Sequence, residues 1–537
     1  MDELLEKAYE TLKVYRTRKD LKMRPCRYLK ETFTHFDGTE RPLEFRYYQV
    51  QGILHLIGMN RFLLGDEMGL GKTIQTISAL CYLWEKDPTF KAVVVTDKSA
   101  VLQWGSEFDK FTKGISTFTY NGPKKGRQAA LEAFQACEGP SVLILNYALL
   151  RIDFSVFQEA LHDPSFVIIY DEAQAFKGTK SQIYQACRYF SSKAQRCWAL
   201  TATMIQNRLM EGYAIYTVIV PGLFSSERNF MNTYGIVEQQ SIPGRHHKIS
   251  VVVGHTPEHI EMFREKIDPF YLGRAKWEVA SELPSLTIKT VEVDLSPLQE
   301  TKYKEALAGL LEMGDGEVKE TTKLTQIIYC QQIINHPELI GVDADLQDCP
   351  RLETLLDLLI DGEFAGQKVI VSTRFRKMVD IIERELKKRK VGVTRITGNE
   401  NDKQRQAAMK AFQDLTSPIR IVLITDAAKQ AVNLQAASAI IFYDTDFSGG
   451  VYLQKLGRMI RIGSVHSMCY AVHLAARRRS GGKTIDQRCM DILKKKMVLI
   501  ESVLGKRLMG EGDTPIDIGE ENDIASLFAS LREDANS

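Results

Sequence analysis

The chain lacks any apolar run approaching about 18 residues, so no membrane-spanning helix is expected. Met1 to Glu10 is acidic and carries no apolar signal-peptide core. The nine cysteines include no C-x-x-C pair, which argues against a disulfide framework and for reduced thiols. Cys330 lies near His336, and His246 beside His247, but neither grouping has the matching second half of a zinc site. Short-period repeats and low-complexity tracts are missing too, which excludes solenoid and fibrous architectures. An excess of one charge is also lacking: 70 Lys and Arg against 68 Asp and Glu leave a net charge of +2.

That balance is uneven along the chain. The segment from Glu511 to Ser537 carries eight acids and one base, so the remainder is basic. Basic clusters stand at Lys13 to Lys30, Lys387 to Lys390, Arg477 to Arg479 and Lys494 to Lys496. Cations in such clusters release condensed counterions when they meet a nucleic-acid backbone, although solvated helix faces carry similar runs. The acidic end reads as a flexible, solubilising tail.

The 537 residues are too many for one ordinary domain. Short apolar strands alternate with helical stretches at 62–64, 92–96, 142–145, 166–170 and 197–200. A second series follows at 369–372, 391–396, 421–424, 439–443 and 469–474. Strands alternating with helices imply parallel sheets covered on both faces. The expected architecture is α/β, with two such units in tandem. The expected divisions are a basic helical extension over 1–41 and a first lobe over 42–290, with a helical protrusion from about 221. A second lobe follows over 291–510, with a helical insertion at about 296–362 and a C-terminal brace, and then the acidic tail over 511–537.

Two motifs carry chemistry. The first is Gly65-Asp66-Glu67-Met68-Gly69-Leu70-Gly71-Lys72-Thr73, between an apolar strand and a helix. A glycine-rich turn into a helix N-terminus aims backbone N–H groups at phosphate oxygens. Lys72 can reach the terminal phosphates, and the Thr73 hydroxyl can ligate Mg²⁺. Asp66 stands where the strict phosphate-loop spacing has its first glycine. Asp171-Glu172-Ala173-Gln174 ends a buried-strand pattern; Asp171 is expected to hold the metal and Glu172 to orient the attacking water. ATP and Mg²⁺ are therefore the expected substrate and cofactor.

The second motif is the run from Gln454 to Gly463. On a helix, Gln454, Gly457, Arg458 and Arg461 share one face. Arginine suits the charge that builds on a transferring phosphoryl group. Were Arg458 and Arg461 to complete the first unit's site, hydrolysis would require the two units to close on each other.

With these motifs in hand, the chain resembles the Swi/Snf-type ATPases of helicase superfamily two, from about Leu43 to Lys506. Arg46-Tyr47-Tyr48-Gln49 resembles the adenine-reading segment, which adds Arg46 and Gln49 to the ATP site. Trp104 with Glu107-Phe108-Asp109-Lys110-Phe111 resembles the W-x-x-E-F-x-K-F signature. Thr201-Ala202-Thr203-Met204-Ile205-Gln206-Asn207 resembles the coupling motif, with Ala202 and Met204 in place of the usual Gly and Pro. Leu272-Gly273-Arg274 and Leu283-Pro284 match the bridge between lobes, Asn335-His336-Pro337 a tripeptide of the second lobe's insertion, and Thr484-Ile485-Asp486 the brace. The segment from Asp426 to Leu434 lacks the glycines usual in the fifth motif.

The resemblance implies two tandem RecA-like lobes with helical insertions between them, and a monomeric motor that tracks double-stranded DNA without parting its strands. It assigns coupling to Thr201, Thr203 and Gln206. It offers Lys98, Ser99, Asn146, Tyr147, Asn207, Thr373, Arg374, Thr425 and Asn433 as phosphate contacts; such groups suit phosphate oxygens and read no base sequence. A DNA-bound protein or RNA polymerase is the kind of partner such a motor displaces. The alternatives left open are a polymerase-associated recycling ATPase, a strand-separating helicase, and a nucleotide-gated DNA-binding module with negligible turnover. With little chain outside the motor, the expectation is a soluble, intracellular, stand-alone enzyme, cytoplasmic rather than nuclear.

Overall fold

The computed structural model describes residues 3–34, 39–206, 208–240, 249–279, 284–312, 320–426, 434–445, 448–460, 464–504 and 531. The chain divides into two compact units. Unit 1 is Met1–Tyr234 with Pro257–Ser281, and unit 2 is Gly235–Thr256 with Glu282–Ser537.

Unit 1 is built on a seven-stranded sheet. Its spatial order is Tyr271–Leu272, Arg61–Leu64, Arg196–Leu200, Phe166–Asp171, Lys91–Thr96, Ser141–Asn146 and Ser116–Thr119. Every pairing is parallel. Helices cover the faces, so the strands read as continuous buried runs: all six residues of Ser141–Asn146 are buried. Unit 2 repeats the plan with six parallel strands, in the order Ser285–Asp294, Met468–Arg477, Ala439–Phe442, Val369–Ser372, Ile419–Ile424 and Gly392–Ile396. This is the α/β architecture of two sheets in tandem that the strand series led us to expect.

Two boundaries differ from the sequence reading. The extended segment from Ser285 to Asp294 pairs with Met468–Arg477 at ten positions, so it belongs wholly to the second sheet and not to the end of the first lobe. The antiparallel hairpin of Ile236–Gln240 and Ile249–Gly254 groups with unit 2, although helices of unit 1 flank it in sequence. The N-terminal helix Glu3–Tyr15 belongs to unit 1. Arg16, just beyond it, donates to the Asp268 carboxylate at 2.8 Å and to the Tyr271 carbonyl at 2.9 Å.

Among the described residues, two buried clusters lie in unit 2. One packs Val369, Val371, Ile421, Leu423, Ala439 and Ile441 of the sheet against Leu352, Leu355 and Leu359 of helix Pro350–Ile360. The other joins Tyr303, Ile327, Cys330 and Ile334 of the helical insertion to Ile485 and Cys489 of the C-terminal helix Ile485–Leu504. No described helix is long and apolar enough to cross a membrane. The described cysteines are all free, and no described group of His, Cys, Asp and Glu could hold a metal on its own.

Candidate active site

The phosphate loop leaves strand Arg61–Leu64 and enters helix Lys72–Lys86. Gly69 and Gly71 take φ of 91° and 82°, a region that side chains disfavour, so the loop needs glycine at both positions. Gly71 has a second reason: a Cβ there would lie 2.7 Å from Nε2 of Gln49. Gln49 stands in the first turn of helix Tyr47–Gly58. Its Oε1 accepts from the Arg46 N–H at 3.0 Å, and its Nε2 donates to the Leu70 carbonyl at 3.4 Å. The expected adenine-reading segment is thus bonded directly to the loop. Lys72 Nζ donates to the Asp66 carbonyl at 2.8 Å, and Thr73 follows it in the first turn of the helix, half-buried. Met68 and Leu70, within the loop, are buried. Glu67 accepts from the Lys276 N–H at 2.8 Å, with Lys276 Nζ 3.5 Å away.

Asp66 is completely buried, its two carboxylate oxygens held by the guanidinium of Arg274 at 2.8 and 2.5 Å. Asp66 thus offers its backbone carbonyl to Lys72 and turns its side chain to Arg274.

Asp171 ends strand Phe166–Asp171 beside this loop's lobe core. Trp104 Nε1 donates to its Oδ2 at 2.7 Å and Thr96 Oγ1 to the same oxygen at 3.0 Å. Burial and the neighbouring Glu172 charge push the Asp171 carboxyl up to about 6, against the pull of the Trp104 and Thr96 hydrogen bonds and the Lys72 charge. A carboxylate so placed gains from a divalent cation, which favours its charged form. A carboxylate and a helix-start hydroxyl, Asp171 and Thr73, are oxygen donors of the kind Mg²⁺ takes. Glu172 adopts φ 54° and ψ 54°, the left-handed region, at a cost of about 1–3 kcal/mol that such sites carry.

From Glu172 a hydrogen-bonded relay runs through unit 1. Gln174 Nε2 donates to Glu172 Oε2 at 2.6 Å, and Thr201 Oγ1 donates to Gln174 Oε1 at 2.7 Å. Thr201 Oγ1 accepts from the Thr203 N–H at 3.0 Å, and Gln206 Nε2 donates to Thr203 Oγ1 at 3.4 Å. Gln206 Oε1 accepts from Lys177 Nζ at 2.8 Å, and its N–H is held by Glu211 at 2.5 Å. All three expected coupling residues, Thr201, Thr203 and Gln206, lie on this one path.

A family model for the SNF2-related domain matches residues 48–339, more than half of the chain, and one for the helicase conserved C-terminal domain matches 350–463. The chain belongs to the SNF2-related family. It is 30% identical over 444 residues to the mouse chromodomain-helicase-DNA-binding protein 1-like, covering 79% of this chain and 47% of the mouse protein. It is 26% identical over 467 residues to an uncharacterized ATP-dependent helicase of Mycoplasma pneumoniae, covering 86% and 42% respectively. The chain thus spans less than half the length of these curated relatives. Among solved structures, a Sulfolobus solfataricus SWI2/SNF2 ATPase core in complex with dsDNA aligns over 90% of this chain and 95% of its own, with 22% identity and a TM-score of 0.41.

The SNF2-related chain distributes its remaining expected site residues less evenly. In unit 2, Gln454, Gly457 and Arg458 sit on helix Gly449–Met459, all buried, and the Arg458 carbonyl accepts from the Leu434 N–H at 3.1 Å. Lys455 on that helix pairs with Asp426 at 2.8 Å. Arg461 lies outside the described residues, as do Asn207 and Asn433.

The expected phosphate contacts divide into displayed and internally committed groups. Lys98 is exposed and Ser99 half-buried in the turn Lys98–Ala100. Asn146 instead caps helix Tyr147–Ile152, accepting from the Leu149 N–H at 3.0 Å. Tyr147 is 4% exposed and donates its hydroxyl to the Asp171 carbonyl at 2.7 Å. In unit 2, Thr373 is buried with its hydroxyl on Asp444, and Thr425 is 7% exposed. The Arg374 N–H also binds Asp444, at 3.0 Å, while its Nη1 donates to Gln331 at 3.1 Å. Asn146 Oδ1 and the Tyr147 and Thr373 hydroxyls are therefore engaged by neighbours in their own units. In the sequence Trp104 entered only as part of the W-x-x-E-F-x-K-F signature. A buried indole N–H seeks an acceptor, but the sequence does not say which one.

Proposed function

We propose that the chain is an ATP- and Mg²⁺-dependent motor acting on double-stranded DNA. The observation that carries this reading is the pairing, within one unit, of a glycine-built phosphate loop with an acid pair wired to the coupling motif. Lys72 and the loop N–H groups bind the phosphates, and Thr73 and Asp171 hold the metal. Bound there, Mg²⁺ neutralises charge on the phosphate oxygens. Trp104 and Thr96 fix Asp171, and Glu172 orients the water. Arg458 and Arg461 stabilise the charge of the transition state. Through Gln174, Thr201 and Thr203, the position of Glu172 is linked to the segment that carries Gln206. DNA engaged there would bias the water-orienting carboxylate, so duplex should accelerate hydrolysis. Movement along DNA would then displace or remodel bound protein, including RNA polymerase where that is the obstacle.

The test is ATPase rate with duplex DNA, single-stranded DNA, RNA and no polymer. Duplex should stimulate most, and strands should remain annealed in an unwinding assay. Lys72→Ala should fold and lose turnover by about a thousandfold, as removal of a phosphate-binding cation does. Undiminished hydrolysis in that variant removes the site assignment. The names of the relatives favour one second reading, a strand-separating helicase, which ATP-dependent release of single strands would establish.

A further inference from the structure

A buried charge in the phosphate loop needs an explanation. At the position where a glycine would leave room, the chain carries Asp66, fully buried. Taking a carboxylate out of water costs several kcal/mol unless it is paired and hydrogen-bonded. Its partner is Arg274, which lies 208 residues further on in the same unit and is 7% exposed.

Arg274 does more than neutralise. Its Nε and Nη2 form a two-bond fork on Asp66 at 2.8 and 2.5 Å. Nη1 donates to the Tyr48 carbonyl and, at 3.1 Å, to Gln51 Oε1; Nη2 also reaches Gln75 Oε1 at 3.2 Å. Gln75 completes the ring, donating to Asp66 Oδ2 at 3.0 Å and to the Leu70 carbonyl at 3.2 Å. One guanidinium thus joins the start of the phosphate loop, the helix that follows it and the helix that carries Gln49. The backbone runs with it: Gly65 N–H donates to the Leu272 carbonyl at 2.7 Å and Glu67 N–H to the Arg274 carbonyl at 2.9 Å. Gly52 is the clearest mark of the arrangement. A Cβ there would lie 1.9 Å from Gln75 Oε1 and 3.1 Å from Arg274 Nη2, so a glycine interrupts a helix where alanine would be better by about 1 kcal/mol.

We propose that Arg274 is the positioning residue of the phosphate loop: through Asp66 it sets the carbonyl on which Lys72 rests, and so prepares loop and lysine for the nucleotide's phosphates. This rests on the nucleotide reading given above. Only a planar fork satisfies both Asp66 oxygens while reaching three further acceptors; an ammonium of the same charge does not.

The test is Arg274→Lys in the full chain, read by titration with a fluorescent ADP analogue and by ATPase kinetics. The dissociation constant and KM should rise about tenfold or more, while kcat at saturating nucleotide stays within about threefold, the pattern of lost binding and not lost chemistry. A merely structural role lowers the folded fraction, so kcat falls while KM and the dissociation constant hold. That result, or wild-type values throughout, overturns the proposal. If Arg274→Lys does not fold, Asp66→Asn, which keeps the shape and removes the charge, is read in the same way against the same two outcomes. Lys72→Ala binding the analogue as tightly as wild type would overturn the nucleotide reading itself, and this inference with it.

Discussion

The two sheets share a plan and differ in what their strand ends do. In unit 1, Asp171 at a strand end is held by Trp104 and Thr96, with the strained Glu172 following it and Lys72 in the same lobe. In unit 2, Asp444 lies two residues beyond the end of strand Ala439–Phe442 and is consumed internally. It takes the Thr373 hydroxyl, the Arg374 N–H and, at 3.4 Å, Asn335 Nδ2. Behind it Arg351 donates to Asn335 Oδ1 at 2.7 Å, to the Tyr443 carbonyl at 3.1 Å and to the Asp486 carboxylate. Burial pushes both Asp171 and Asp444 carboxyls up, yet only the former stands beside a phosphate loop. One plan therefore sets a strand-end aspartate among a tryptophan, a threonine and a following glutamate in unit 1, and inside a hydrogen-bonded frame in unit 2.

Three changes would break or sharpen this contrast. The largest effect belongs to Glu172→Gln, which should cut turnover by about a thousandfold, within the range of a lost acid–base group, and leave the thermal unfolding of the chain as it was. Steady-state ATPase and calorimetry decide it together. Next comes Arg351→Met in the frame. It leaves Asp486 buried without its cation and should destabilise unit 2 by about 3–5 kcal/mol, while affinity for a fluorescent nucleotide in unit 1 holds. An equal loss of nucleotide affinity would mean that the units do not divide the work as described.

The smallest effect concerns Glu385. Burial raises its carboxyl, but the hydrogen bonds and charges of Lys388 and Arg389 outweigh that and hold it near a pKa of about 2. A folded value below the unfolded one, about 4.3, means stability that is present above that pH and lost as pH falls towards 2. Glu385→Gln should flatten the acid limb of the unfolding curve in that window and leave neutral stability slightly lower.

The sequence made the strands legible because buried parallel strands are continuous apolar runs, and ten of them lay close to where periodicity put them. The edge strands Ser116–Thr119 and Tyr271–Leu272 escaped, being short and partly polar. Phosphate loop and acid box were readable because both are contiguous in sequence. The relations of Trp104 to Asp171 and of Arg274 to Asp66 were not, since each joins residues brought together only by the folded sheet. The helix cap made by Asn146 and the bond from the Tyr147 hydroxyl to the Asp171 carbonyl were not read from the sequence either. Asp66 did leave a trace: a charge two residues after an apolar strand, in place of a glycine, must find a counter-ion if it is buried.

The order of strands also sets a timetable for synthesis. The first sheet is complete once Leu272 has emerged, because its latest strand in sequence is the edge Tyr271–Leu272. The second cannot be: its earliest strand, Ser285–Asp294, has as its one neighbour the last, Met468–Arg477. At ribosomal rates the earlier strand waits on the order of ten seconds or more with an open edge. The nascent chain thus carries a finished first sheet and an unsealed second one, and that interval is when its strand edges are most exposed to mispairing.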